Sequence, residues 1–156
     1  MSWLYALPGP VINRATPNGL CGRWRNNSEW LWLAAQAGLS ILPLTLRWPP
    51  AQENSGQLLT LLVPSETTTR LILMVDGQPL GDWIPPPVKE GCRRLAELSG
   101  LRLLGVEMAV TQTSPWTFAG IKVCPPLQAG GGSLLDALAR ALSARHDPSR
   151  PREVFR

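Results

Sequence analysis

The sequence predicts a single α+β domain in which a mostly antiparallel sheet is covered by helices. The chain has 156 residues, of which 44% are hydrophobic, and this length and composition are sufficient for one sizeable core. Its patterns follow the order helix, strands, helix, hairpin, helix, which suits helices packed on an antiparallel sheet. We expect residues 1–145 to form this domain and residues 146–156 to form a basic, flexible tail.

The first predicted helix covers residues 28–37. Asn26 can cap it, and Glu29 stands three residues later, where its carboxylate can reach back to the backbone of the cap. Apolar residues follow at helical spacing, and Gly38 supplies a left-handed stop. The apolar run at residues 39–46 then predicts a buried strand.

Two further apolar runs, at residues 58–63 and 70–75, predict neighbouring antiparallel strands. Asp76 and Gly77 follow the second run, and both residue types tolerate the positive φ angles of a tight hairpin turn. The next strand of this meander is predicted at residues 80–84, where a run of prolines stops it.

A second helix is predicted from Pro87, because proline is tolerated at the first helical position, and Gly100 is expected to end it. Its apolar face includes Cys92. Residues 101–110 and 116–123 are then predicted to form a pair of strands joined by a turn.

The last helix is predicted to be capped by Ser133, after a flexible glycine-rich link at residues 129–132. A glycine run before a helix can also cradle phosphate, but no lysine follows here as it does in a P-loop. On the buried face of this helix we expect Leu134, Leu135, Leu138, Ala141 and Leu142.

Neither membrane insertion nor secretion is predicted. The longest charge-free run is interrupted by Gly38 and Pro43, so no stretch offers the roughly 20 apolar residues that span a bilayer. The N-terminus lacks the basic region and the apolar run of a secretory signal. We therefore expect a cytoplasmic protein.

The three cysteines, Cys21, Cys92 and Cys124, predict neither a zinc site nor a disulfide. They are odd in number and scattered, and the single histidine, His146, lies near the C-terminus. We expect three reduced thiols, with Cys92 facing the core.

The positive charge is concentrated at the C-terminus. Residues 140–156 carry five arginines and two carboxylates, a net charge of +3, which leaves +1 of the total +4 for the preceding residues. The predicted folded body is therefore almost neutral and lacks a face of clustered cations beside aromatic residues. Nucleic-acid binding is not predicted.

Tryptophan is unusually frequent, with seven residues in the chain. Trp30 fits the buried face of the first helix, whereas Trp24, Trp32 and Trp48 are less easily buried. An exposed group of tryptophans would mark a protein contact. The alternative is that most of them fill a small core.

Four segments, in their order along the chain, resemble the ATP-grasp superfamily of carboxylate-amine ligases, which includes glutathione synthetase and the ribosomal-protein glutamate ligases. Residues 10–14 resemble the "P-x-x-N-R" segment of that family, and residues 32–45 resemble its helix followed by "aGl-x-x-P-x-T". Residues 59–77, with Arg70, are similar to its "R-v-x-v-v-d-G" hairpin. Residues 92–123 are similar to the helix and two strands that close the family's site.

The resemblance implies an Mg²⁺ and ATP site, but the implied metal ligands are changed. The family's "g-v-D" acid and the Glu and Asn of "E-v-N" correspond to Glu107, Lys122 and Cys124. Magnesium requires clustered oxygen ligands, so a lysine reverses the charge at one position and a thiol is a poor ligand at another. We therefore predict degenerate family positions at Glu107, Lys122, Cys124 and Arg70, with no metal bound.

A second departure removes a whole subdomain. Only nine residues separate Trp48 from Leu58, where the family would insert the small subdomain that carries a phosphate-contacting lysine. The only lysines are Lys89 and Lys122, so neither stands at that position. The resemblance thus implies an ATP-grasp domain without its small nucleotide-clamping subdomain.

Three hypotheses follow. The first is a non-catalytic, ATP-grasp-like binding or structural subunit that acts through protein contacts and needs no cofactor. The second is an ATP-dependent carboxylate-amine ligase, or its subunit, that is active only with a partner chain, with Glu107 holding Mg²⁺. The third is an unrelated α+β adaptor, for which the strands at 101–110 and 116–123 would not lie beside the earlier hairpin.

Overall fold

The computed structural model describes residues 11–16, 19, 21–41, 44–45, 60–61, 68–81, 83–110 and 116–143. In chain order the elements are α1 (Asn27–Gln36), β1 (Leu44–Thr45), β2 (Thr60–Leu61), β3 (Thr68–Val75), β4 (Gln78–Leu80), α2 (Pro86–Ser99), β5 (Leu103–Val110), β6 (Thr117–Lys122) and α3 (Gly131–Ser143), with a 3₁₀ turn at Leu127–Gly130. The predicted flexible tail, residues 146–156, lies outside the described residues. None of the helices in the described ranges is long and apolar enough to cross a membrane.

The main sheet has the order β4-β3-β5-β6, and all of its pairs are antiparallel. Strand β5 pairs with β3 along all eight residues and with β6 on its other side. The pairing with β6 contains a register shift between Glu107 and Met108. Strands β1 and β2 form a separate two-stranded sheet. The prediction that the runs at 58–63 and 70–75 are neighbouring strands is therefore wrong, because β2 pairs with β1 and β3 pairs with β4 and β5. The predicted α+β class is confirmed. Strands β5 and β6 lie beside β3, so the arrangement that would have favoured an unrelated adaptor is not observed.

Helices cover both faces of the sheet. Because strand side chains alternate between faces, Ile72 and Met74 pack with α1 and α2, whereas Leu73 and Val75 pack with α3. The larger core lies on the α1 and α2 side and includes Leu104, Val106, Met108, Phe118, Leu95 and Trp30. Phe118 is 1% exposed and is among the largest fully buried side chains.

Helix α1 begins as predicted. The Asn26 side chain accepts a hydrogen bond from the Glu29 backbone N–H at 2.9 Å, and the Glu29 carboxylate accepts one from the Asn26 N–H at 2.9 Å. This reciprocal pair satisfies two donors that a free helix terminus leaves open. Trp30, Leu33 and Ala34 are buried, as the helical spacing predicts.

The hairpin between β3 and β4 also follows the prediction. Asp76 and Gly77 have φ angles of 47° and 75°, and the Asp76 carboxylate accepts hydrogen bonds from the Arg102 guanidinium at 2.6 and 2.8 Å. The strand predicted at residues 80–84 is wrong, because β4 ends at Leu80. Ile84 instead fills the larger core after the chain has left the sheet.

Asn13 fastens the N-terminal segment to the start of β5. Its carbonyl oxygen accepts hydrogen bonds from the backbone N–H groups of Arg102 and Leu103 at 2.9 and 3.0 Å, and its amide donates to the Leu103 carbonyl. Asn13 itself has a φ of 51°, a left-handed conformation that asparagine tolerates better than most residues. The Asn of the "P-x-x-N-R" segment therefore has a structural role in this chain.

Helix α3 differs from its prediction at both its start and its buried face. It begins at Gly131, so Ser133 lies in its first turn and donates a hydrogen bond to the Gly130 carbonyl at 2.9 Å rather than capping it. The glycines predicted as a flexible link end the 3₁₀ turn and start the helix. Leu135 and Leu142 are 62% and 44% exposed. The buried residues of α3 are Leu134, Ala137 and Ala141, with Leu138 partly buried.

Gly91 of α2 allows this helix to approach the chain that follows α1. A Cβ atom added at Gly91 would lie 2.5 Å from Cδ2 and 2.9 Å from Cγ of Leu39, and Leu39 is buried. We expect Gly91→Ala to lower the free energy of unfolding by about 1–3 kcal/mol, as overpacking does. Chemical denaturation checks this.

The matched control is Gly132→Ala in the first turn of α3, where an added Cβ meets nothing within 4 Å. Because alanine has the higher helix propensity, this change is expected to be neutral or to stabilise by up to about 1 kcal/mol. Equal effects of the two substitutions would contradict the close approach at Gly91.

Candidate functional site

Glu107 and Lys122, two of the degenerate family positions, form an ion pair on adjacent strands. In the register of β5 and β6, Glu107 lies opposite Gly120 and Lys122 lies opposite Gly105, so the two side chains are diagonal neighbours. The Lys122 Nζ lies 2.9 Å from the Glu107 Oε1. The Lys122 side chain is 47% exposed and the Glu107 side chain is 27% exposed. The charge of Glu107 is thus balanced by Lys122, the residue at the position for which the resemblance implies a second acid.

A glycine residue makes room for this pair. A Cβ atom at Gly120 would lie 3.2 Å from the Glu107 Oε2, and one at Gly105 would lie 3.4 Å from the Lys122 Cβ. The first distance is tighter than ordinary van der Waals contact, so the absence of a side chain at Gly120 leaves room for the Glu107 carboxylate. At Gly105 the closer contacts would be with Leu71 Cδ1 at 2.9 Å and Pro125 Cβ at 3.1 Å.

Cys124 is joined to Cys21 by a disulfide, which corrects the prediction of three reduced thiols. The two residues are 103 positions apart in the sequence, so no local spacing marked the pair. The bond ties the segment before α1 to the chain just after β6. A disulfide sulfur carries no thiolate, so Cys124 has no capacity to ligate a metal in this state.

Cys92 is the cysteine for which the prediction is confirmed. Its thiol is free, lies fully buried in the larger core, and packs where α2 meets the sheet. Burial raises the pKa of the Cys92 thiol to about 12. It is therefore a small apolar core residue and not a nucleophile.

A cleft of about 610 Å³ lies between β6, the start of α1 and the segment that precedes α1. Glu107 lines it, and so does the disulfide-bonded Cys21. The described part of its lining also contains Gly19, Gly22, Arg23, Trp24, Arg25, Asn27, Trp30, Leu31, Phe118, Ala119, Gly120, Ile121 and Val123. Its wall therefore combines arginine, tryptophan and aliphatic side chains with Glu107.

Arg25 is the most unusual group in this cleft. One of its guanidinium nitrogens, Nη2, donates to the Ser99 carbonyl at 2.9 Å, and the guanidinium carbon lies 5.2 Å from the centre of the Trp30 ring. The other terminal nitrogen, Nη1, is buried and has no hydrogen-bond partner. Burial, and next the charge of Arg23, lower the pKa of Arg25, whereas Glu29 raises it.

The residues at the implied metal position do not fit a magnesium ion. Across the part of the chain that the structure describes, no three His, Cys, Asp or Glu side chains cluster closely enough to hold a metal. Glu107 is engaged by Lys122, and Cys124 is engaged by Cys21. A divalent cation there would have one carboxylate and would face an ammonium group, whereas Mg²⁺ needs several oxygen ligands.

Arg70 lies apart from this cleft. Its guanidinium carbon is 5.7 Å from the centre of the Trp116 ring, and both residues line a smaller cleft of about 220 Å³ with Trp83. Trp116 has a φ of 62°, a strained conformation for a bulky residue. The structure thus brings Glu107 and Lys122 together and places Arg70 with two tryptophans instead.

Two of the three tryptophans proposed as contacts are exposed. Trp24 and Trp32 are 66% and 60% exposed, as a contact role requires, and Trp48 lies outside the described residues. Trp83 is 75% exposed and was not singled out from the sequence. Its position directly before a buried isoleucine and three prolines was the available signal.

Comparison with solved structures shows a shared fold. The macrocyclase MdnB from Microcystis aeruginosa MRC has a TM-score of 0.60 and 19% identity, over 75% of this chain and 54% of the MdnB chain. The macrocyclase MdnC from the same source, bound with precursor peptide MdnA, has a TM-score of 0.55 and 14% identity, over 76% and 60% of the two chains. No family model matches the chain, and no curated protein sequence is significantly similar.

A third structure carries the family name. The ATP-grasp ligase PsnB, complexed with a phosphomimetic variant of its minimal precursor, Mg and ADP, has a TM-score of 0.50 and 16% identity, over 71% of this chain and 57% of PsnB. The chain spans a little over half the length of these three proteins. At such identities the likeness shows the fold, which is that of a shortened ATP-grasp-like domain.

Proposed function

We propose that this chain is a non-catalytic, ATP-grasp-like binding or structural subunit that acts through protein–protein contacts. The observation that carries the proposal is the 2.9 Å ion pair between Glu107 and Lys122. An ammonium group occupies the place of the cation that this fold would hold in a ligase. Since the lysine belongs to the chain, no diffusing metal is needed to balance the carboxylate.

Two further observations support the proposal. The disulfide at Cys124 removes a second implied ligand position from metal chemistry. The exposed tryptophans, Trp24, Trp32 and Trp83, present large apolar surfaces of the kind that anchor protein interfaces. The partner is a protein of unknown identity, and neither nucleic acid nor a membrane is part of the proposal. The proposed location remains the cytoplasm.

The test is nucleotide binding by the purified chain. At millimolar ATP and Mg²⁺ we expect no change in melting temperature, because a ligand that does not bind the folded state cannot stabilise it. An intact ATP-grasp ligase, run in the same plate, serves as the positive control. A clear Mg²⁺-dependent rise in the melting temperature of this chain would refute the proposal.

The competing function is an ATP-dependent ligase that becomes active when a partner chain supplies the missing parts. Two observations favour it: the fold, and the Glu107 side chain, which is 27% exposed and lines the large cleft. Reconstitution with candidate partners, followed by a phosphate-release assay, separates the two functions. In the active case Glu107→Ala abolishes release, whereas Glu97→Ala on the exposed side of α2 leaves it unchanged.

A further inference from the structure

The described lining of the large cleft carries more positive than negative charge. Of the charged side chains in its described lining, Arg23 and Arg25 are cations and Glu107 is the acid. Glu107 is already paired with Lys122. Glu29, whose charge raises the pKa of Arg25, has its Oε2 atom engaged in the capping box of α1. Within the described residues, neither Arg23 nor Arg25 forms a salt bridge with an acid of this lining.

The unpaired nitrogen of Arg25 points to the same conclusion from hydrogen bonding. A buried donor without a partner costs about 1–3 kcal/mol, and more when it is charged. The lowered pKa of Arg25 reflects an uncompensated cation, with burial as its first cause and Arg23 as its second. An anion bound in the cleft would offset this positive charge.

The shape of the arginine side chain favours a carboxylate. A guanidinium group presents its donors in a planar fork that matches the two oxygens of a carboxylate. The Trp30 ring lies against the Arg25 guanidinium, with 5.2 Å between the guanidinium carbon and the ring centre. A polyphosphate would instead need several cations or a metal, and two arginines are the only unpaired cations in the described lining.

The size and apolar lining of the cleft indicate more than a single ion. A volume of about 610 Å³ lies within the range of about 300–1,000 Å³ that accommodates ligands with several functional groups. Trp24, Leu31 and Ile121 provide apolar surface on its walls, and Trp24 is 66% exposed. Single-stranded nucleic acid also stacks on tryptophan, but it requires a basic track. The chain before residue 140 has a net charge of only +1.

We propose that this cleft binds a peptide segment of a partner protein, in which an Asp or Glu side chain pairs with Arg25 and Arg23 and an adjacent aromatic side chain packs on Trp24. The inference rests on the proposed function, because it names the chemistry of the partner that the binding subunit recognises. The arginines set the requirement for an acid, and the tryptophan sets the requirement for an apolar neighbour.

The experiment uses fluorescence anisotropy with a fluorescein-labelled heptapeptide that has two aspartates flanking a tryptophan. Its matched control is the same peptide with asparagine in place of aspartate. The acidic peptide is expected to bind at least about tenfold more tightly than the asparagine control, because its carboxylates form charge-assisted hydrogen bonds that the amides cannot form. Arg25→Ala and Arg23→Gln should each reduce the preference for the acidic peptide. Arg140→Ala, which changes an exposed arginine of α3, should leave that preference unchanged.

Arg23 is exposed, so Arg23→Gln keeps the proposal falsifiable even if Arg25→Ala does not fold. Equal binding of the two peptides, no binding of either, or an affinity insensitive to Arg23 would overturn the proposal. Displacement of the acidic peptide by oligothymidylate would assign the cleft to nucleic acid and would also overturn it. If the acidic peptide does not bind and Mg-ATP does not bind either, the proposed peptide site is wrong but the proposed non-catalytic function is not contradicted. If Mg-ATP binds, the non-catalytic function is contradicted whatever the peptide does.

Discussion

Replacing Phe118 with alanine is expected to lower the free energy of unfolding by about 3–5 kcal/mol, the range for removing a buried phenylalanine side chain. Phe118 is 1% exposed and belongs to the core between the sheet and helices α1 and α2. Its backbone N–H also donates to the Ser40 carbonyl at 2.7 Å, which joins β6 to the chain after α1. Urea denaturation followed by circular dichroism measures the change.

The control for Phe118→Ala is Leu135→Ala in α3. The sequence pattern predicted Leu135 as a core residue, but its side chain is 62% exposed. Its replacement should change the free energy of unfolding by less than about 0.5 kcal/mol, as surface substitutions do. A loss at Leu135 comparable to that at Phe118 would show that α3 packs with a different face.

Removal of the disulfide is expected to have an effect of similar size. A cross-link between residues 103 positions apart restricts the unfolded chain strongly, so the double variant Cys21→Ser/Cys124→Ser should lose about 2–5 kcal/mol of stability under oxidising conditions. Thermal denaturation of the two proteins without reductant measures the difference.

Reductant provides the internal control for the disulfide. With excess dithiothreitol the natural chain and the double variant should melt at similar temperatures, because neither then contains the cross-link. Peptide mapping under non-reducing conditions should find Cys21 and Cys124 in one linked fragment and Cys92 as a free thiol. Recovery of all three as free thiols from the oxidised protein would contradict the pairing.

The disulfide also bears on the expected location. Structural disulfides are rare in the cytosol, where glutathione and thioredoxin keep thiols reduced. The cytoplasmic address was inferred from the N-terminal sequence and not from the cysteines. It stays a prediction, and the redox state of Cys21 in native cells is the measurement that decides it.

The sequence predicted those parts of the fold that short-range chemistry determines. The capping box of α1 requires only Asn26 and Glu29 at the right spacing, and the hairpin requires only Asp76 and Gly77. Each of these signals lies within four residues. The conformations they specify are formed locally, so tertiary packing had little to change.

The errors lie where distant parts of the chain decide the outcome. Helical spacing places Leu134, Leu135 and Leu138 on one broad apolar face, but packing on the sheet buries Leu134 and Ala137 and leaves Leu135 exposed. The pairing of Cys21 with Cys124 likewise depends on the fold that brings the segment before α1 to the end of β6. Neither outcome is encoded in a local pattern.

The candidate site was predicted in part. The family resemblance singled out Glu107 and Lys122, but their ion pair depends on the register of β5 and β6 and on the glycine at position 120. The role of Arg25 was not predicted, although Arg23 and Arg25 flank a tryptophan in the sequence. Its unpaired nitrogen arises from burial, which the sequence of this segment does not reveal.

The central claim is that Lys122 occupies the cation position beside Glu107, and paramagnetic broadening tests it most directly. Mn²⁺ substitutes for Mg²⁺ in oxygen-ligand sites and broadens the resonances of nearby amides in a ¹⁵N-labelled protein. With Mn²⁺ and ATP added, we predict that amides 105–108 and 120–122 keep their intensities relative to the rest of the domain. Selective loss of those resonances, abolished in the Glu107→Ala variant, would show a metal–nucleotide site at Glu107 and would contradict the account.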